Sequence, residues 1–167
     1  MDKSQVALLL VLSASAFGAA ADEGDMYRHG RTHFTLGGGS SRAFDNNYTA
    51  VSLSASYYAM DGLAVGISYE SWTGGNRHIT KYAPSVQYVF YESTMVQPYV
   101  GVLYRHTGVD GLPDINSLGE TAGINIPSGD HAYVSIGFIH EAYLGCQQTI
   151  YSSCSVTYSN IGVTYGF

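Results

Sequence analysis

The sequence predicts an all-β protein, an eight-stranded antiparallel up-and-down transmembrane β-barrel. Three observations predict it. First, the chain ends in strict alternation, with Ile161, Val163, Tyr165 and Phe167 on one face and Asn160, Gly162, Thr164 and Gly166 on the other, which is the period of a β-strand. Second, seven earlier segments repeat that alternation between turn residues. Third, the chain is 46% hydrophobic but only 12% charged, where a soluble domain carries about 25% charged residues. The large apolar residues take one face of each segment, while Gly, Ser, Thr and a few charges take the other. A water-soluble barrel would point its apolar face inward and cover the outside with charge. This chain lacks those charges, so the inverted arrangement wins, apolar outside and small or polar inside. Closure also satisfies every backbone amide, as lipid requires.

The front end sets the compartment. Lys3 precedes an apolar run, Val6 to Leu12, followed by small residues that include Ala19 and Ala21. This is the pattern of a cleaved secretory signal, with the cut near Ala21/Asp22. The run is too short to cross a bilayer as a helix. Residues 1–21 are therefore expected to be a signal peptide, 22–30 a short polar periplasmic lead, and 31–167 the barrel. The net charge of −6 argues against nucleic acid, which needs basic stripes.

The strands follow in order. The first, 31–40, turns Phe34 and Leu36 outward and His33 and Thr35 inward. A polar loop, 41–47, leads to the second, 48–58, where Val51, Leu53, Ala55 and Tyr57 alternate with Ser52, Ser54, Ser56 and Tyr58. Met60-Asp61-Gly62 makes a tight turn, because Asp-Gly tolerates positive φ. The third, 63–72, puts Val65, Ile67 and Tyr69 out and Gly66, Ser68, Glu70 and Trp72 in. The fourth, 79–90, contains Pro84, which costs a ladder bond or marks a bulge. The fifth, 97–107, sets Val100, Val102 and Tyr104 against Tyr99, Gly101 and Arg105. Residues 108–117 read as a loop, and the sixth strand, 118–126, turns Ala122, Ile124 and Ile126 outward. Pro127 to Asp130 is a turn. The seventh, 131–144, carries Val134, Ile136, Phe138 and His140 on one face and Ser135, Gly137 and Glu141 on the other. The eighth, 158–167, closes the barrel.

Cys146 and Cys154 lie between the last two strands, and an even count in an oxidising compartment suggests one disulfide. Parity puts Cys146 outward and Cys154 inward, so the ladder should end or bulge before them.

The signal, the eight alternating segments and the ending Ile161-Gly162-Val163-Thr164-Tyr165-Gly166-Phe167 resemble the small outer-membrane barrels of the OmpA/OmpX-like superfamily. The stretch Tyr82 to Phe90 followed by Gln97-Pro98-Tyr99-Val100-Gly101 is also similar to that group. The resemblance covers the whole mature chain and implies architecture and location more than activity. The expected place is the outer membrane, reached through the inner membrane. The expected partners are outer-membrane lipid, lipopolysaccharide and the barrel assembly machinery, with the protein a monomer. The terminal face of Ile161, Val163, Tyr165 and Phe167 is the expected assembly signal.

Two constellations could carry chemistry. Glu70, Lys81, Arg105 and Glu141 are the inward charges, and Glu70 faces Lys81 if the hairpin around Gly75 is symmetric. Buried charges need partners, and an eight-stranded interior is narrow enough for side chains to fill. A salt-bridge plug is therefore preferred to an ion gate. The stretch Ile136 to Ala142 is similar to the active-site strand of outer-membrane lipid A deacylases of the PagL type. That family carries a His-x-Ser pair on the lipid face, with a Glu completing a triad. His140 matches the His, but the Ser position is Ala142, and without a hydroxyl there is no acyl intermediate. His29, His33, His78, His106 and His131 show no metal-ligand spacing, and neither a metal nor another cofactor is expected. The reading that results is a non-enzymatic outer-membrane barrel with a plugged polar lumen, acting in envelope structure or surface interaction. A narrow pore for small solutes is the first alternative, and a lipid A-modifying, deacylase-like enzyme the second.

Overall fold

A computed structural model of the chain describes residues 26–43, 46–93, 95–146 and 154–167. The proposed signal peptide and residues 22–25 of the lead lie outside the described residues. Eight strands, β1 (Thr32–Ala43), β2 (Asn46–Met60), β3 (Leu63–Thr73), β4 (Ile79–Val89), β5 (Gln97–Val109), β6 (Ile115–Pro127), β7 (Ala132–Tyr143) and β8 (Ser155–Gly166), form one closed antiparallel barrel in sequence order. Phe167, beside Thr32, and the short turns at Gly62 and Gly129 mark the lower end; the Cys146–Cys154 disulfide marks the upper end.

Alternation places the side chains as the sequence predicts. Leu36 is 61% exposed on the outside and Phe138 64%. Inward neighbours such as His33, Tyr58, Tyr99 and Thr164 are buried. Gly62 adopts φ +76° in the β2–β3 turn, a conformation that Gly reaches without strain. Gly123 and Gly137 pair across β6 and β7, and a Cβ on either would collide with the Tyr99 hydroxyl. A large ring from one wall thus fills the gap left by two glycines on another.

The strands are longer than the alternation suggests. β2 begins at Asn46 and β1 runs to Ala43, so the expected 41–47 loop contracts to residues 44 and 45. β5 and β6 extend to Val109 and Ile115, and β8 begins at Ser155. Above the apolar band neither face needs to be apolar, so the hydrophobic period fades while the backbone ladder continues. Pro84 breaks the ladder without a bulge. Tyr82 pairs with His106 and Ser85 with Leu103 in one unshifted register, and the intervening pairs are missing. The missing Pro N–H accounts for the gap.

Candidate functional site

The upper lumen is closed by the four inward charges and three rings. Glu70 and Lys81 are direct cross-strand neighbours on β3 and β4. They do not form an ion pair among the described residues. Instead Trp72 donates its indole N–H to the Glu70 carboxylate, and Lys81 Nζ lies 3.9 Å from the Trp72 ring centroid. Trp72 thus mediates a pairing that parity alone would draw as direct. A cation over an indole face is stabilised by the ring quadrupole. Glu141, 1% exposed, accepts hydrogen bonds from Arg105 and from the Tyr158 hydroxyl, and Ser117 Oγ donates to its other oxygen at 3.1 Å. The carboxylate is therefore satisfied from β5, β6 and β8, as a buried charge must be. Tyr48, Trp72, Ile79 and Val109 pack beside this network.

The lower lumen is closed by aromatic rings. Two residues of the expected lead, Met26 and Tyr27, belong to this cluster. Tyr27 is 1% exposed and packs inside the barrel against Tyr58 at 5.8 Å and Tyr133 at 5.6 Å between ring centroids. Its hydroxyl donates to Gln97 Oε1 at 3.3 Å. His33 fixes the segment from below. Its Nε2 lies 2.9 Å from the Met26 carbonyl, which can only accept, so Nε2 carries a proton. In the neutral ring Nδ1 then accepts from the Tyr133 hydroxyl at 3.1 Å. Residues 26–30 show no period because they form neither strand nor helix of any length; the buried side chains of Met26 and Tyr27 become interior only once the barrel is closed around them.

Between the two seals lies a cavity of about 250 Å³. Its walls carry many small hydroxyl side chains, among them Ser52, Ser54, Ser56, Ser68, Thr35 and Thr164. Arg105 Nε and Asn160 Oδ1, on two of the lining residues, are buried without a hydrogen-bond partner among the described residues.

The outer wall carries a polar row that the sequence reading missed. His140 is exposed, and its Nδ1 lies 2.7 Å from Thr157 Oγ1 on β8. On its other side His140 is the register partner of Glu120, also exposed. Ala142 stands opposite Ser155. The parity that turned Ala122, Ile124 and Ile126 outward also required Glu120 outward. Cys146 and Cys154 form a disulfide just above the last β7–β8 pair, Ala142 with Ser155. At the lower end Ile161, Tyr165 and Phe167 are exposed, Val163 is half-buried, and Phe167 stacks edge-on against Phe34 and Tyr165. No cluster of three or more His, Cys, Asp or Glu suited to a metal occurs among the described residues.

An apolar wall around a polar, doubly sealed interior defines a small membrane-type β-barrel. The fold is that of the eight-stranded outer-membrane barrels. The N-terminal barrel domain of Pseudomonas aeruginosa OprF aligns at TM-score 0.66 and 13% identity, over 83% of this chain and 98% of that one. Neisserial surface protein A aligns at 0.55 and 15%, over 82% and 95%. A de novo designed transmembrane β-barrel aligns at 0.52 and 15%, over 84% and 97%. A designed barrel aligning this well means that the likeness carries architecture and no activity. No family model matches the sequence, and no curated protein does.

Proposed function

We propose that the protein is a non-enzymatic integral outer-membrane barrel with an axially plugged polar lumen, acting in envelope structure or surface interaction. The observation that carries this reading is the pair of seals, Tyr27 with Tyr58 and Tyr133 below and Arg105 with Glu141 and Tyr158 above. They favour a plug over a narrow pore. The exposed apolar wall supports placement in lipid, with lipopolysaccharide and the assembly machinery as its surroundings and a monomer as its working form. Against a deacylase stands Ala142 in the nucleophile position. Glu120 makes no hydrogen bond to His140 among the described residues, so the row Glu120, His140, Thr157 is not an assembled triad.

Purified barrel in planar bilayers tests the reading. Silence, or only brief flickers, is expected, and a high steady conductance would overturn the plug. Lipid A extracted from expressing cells should show an unchanged acyl pattern by mass spectrometry. Loss of an acyl chain would overturn the non-enzymatic assignment.

A further inference from the structure

β1 and β8 close the barrel over only part of their length. They pair from His33 opposite Gly166 up to Gly38 opposite Ile161. Above that point, among the described residues, β1 from Gly39 to Ala43 is in register with β2 alone, and β8 from Val156 to Asn160 with β7 alone. Each strand therefore presents one edge without a ladder partner. Such an edge is costly wherever lipid covers it, because lipid offers no hydrogen bonds. The gap starts at the upper margin of the apolar band: exposed Val51 pairs with Gly38 at its lower end and exposed Phe138 pairs with Ser159 on the β8 flank, while Ser40 on the β1 flank already pairs with Thr49. The lumen behind it is open space, since a Cβ added at inward-facing Gly39 would meet nothing within 4 Å.

The cavity reaches this gap. Its lining residues point inward on every strand except two. The exceptions are Gly38 and Ser40 on β1 and Ser159 and Ile161 on β8, all of outward parity and all at the seam. The lumen is thus narrowed along its axis by the two clusters, and its lining reaches the outer face of the wall at this seam.

We propose that the upper β1–β8 seam is a lateral window that admits the head of a single-chain phospholipid into the lumen while its hydrocarbon chain stays outside, along Val51 and Phe138. This rests on the membrane placement proposed above. The size agrees with the class of ligand: a cavity of about 250 Å³ holds many times the roughly 10–15 Å³ of such volume that one water needs, room for a glycerophosphate head. The chemistry agrees. Serine hydroxyls suit an oxygen-rich head, Arg105 Nε is a buried donor without an acceptor, and Asn160 Oδ1 is an acceptor without a donor. The two lumen carboxylates are each matched by a cation, Glu70 by its cross-strand neighbour Lys81 and Glu141 by Arg105, so the lumen carries no net charge of its own against a phosphate.

The test uses the full mature barrel in phospholipid vesicles doped with a lysophospholipid carrying a diazirine beside its glycerol. After photolysis, peptide mass spectrometry locates the adducts. The window predicts adducts on the lumen-facing Ser52, Ser54 or Asn160 as well as on outward Val51 and Phe138. Two variants close it. Gly39→Phe fills the gap from inside. Ser40→Cys with Ser159→Cys, in a Cys146→Ser, Cys154→Ser background and oxidised after insertion, ties the two edges together and keeps the test decisive should Gly39→Phe fail to fold. Either closure should abolish lumen adducts and leave the outer ones. Wild-type adducts confined to outward residues would overturn the window, as would lumen adducts that survive the oxidised bridge. Absence of adducts even on Val51 and Phe138 would overturn the membrane placement itself, and the window with it.

Discussion

Glu120 is a carboxylate on the outer face of β6, between the apolar Leu118 and Ala122 of its own strand. A charge on a lipid-facing strand destabilises a barrel according to its depth, with acids costing less than the about 2–4 kcal/mol of Lys or Arg at the midplane. Glu120→Leu should therefore stabilise the protein by about 1 kcal/mol in urea unfolding from vesicles. A loss of that size would mean that its neighbour His140 more than offsets the cost. Glu141 is the opposite case, since its charge is buried and satisfied. Glu141→Ala leaves the Arg105 guanidinium without its carboxylate, which should destabilise by about 3 kcal/mol in the same assay. A change near zero would mean that water replaces the carboxylate and that the upper seal is not a plug. At this scale parity alone set Glu70, Lys81, Arg105 and Glu141 on the inner face. It could not show that Trp72 and Tyr158 stand between and beside them, because which side chain fills a given gap depends on strands far apart in sequence.

The β7–β8 hairpin shows what parity can do for an element. Facing opposite ways, the cysteines cannot be bridged within an unbroken ladder, and the ladder indeed stops at Ala142 opposite Ser155. One more backbone bond follows, from Tyr143 N–H to the Cys154 carbonyl at 2.9 Å, and then the disulfide. Closing so short a segment should contribute about 2–3 kcal/mol on the loop-entropy model. The double Cys146→Ser, Cys154→Ser variant should still fold, with faster proteolysis between the two positions. Free thiols at both positions in protein from the outer membrane, found by non-reducing peptide mapping, would contradict the bridge. Strand ends were the least legible part of the sequence. β6 begins at Ile115 rather than near 118 because Ile115, Asn116 and Ser117 carry no alternation above the apolar band, while their backbone still pairs with Thr107, His106 and Arg105.

Closure is a property of the whole molecule, and it rests on the lower seam. Thr32 and Phe167 exchange backbone hydrogen bonds at 2.9 and 3.3 Å, and the Phe167 ring meets Phe34. Deleting Phe167 should reduce the heat-modifiable, folded fraction in the outer membrane, and an unchanged folded yield would count against its role in assembly. The architecture was legible because eight segments share one period and one inversion of polarity. The lower seal was not, because Tyr27 sits in a segment without any period and becomes interior only after the wall has closed. The chain holds a single tryptophan, and it is Trp72, inside the barrel beneath a lysine ammonium rather than out among the lipid tails. Its fluorescence is therefore an optical gauge of the interior: an emission shift reports the making or loosening of the upper seal, while mere adsorption of the unfolded chain to a bilayer leaves it without the Lys81 signature.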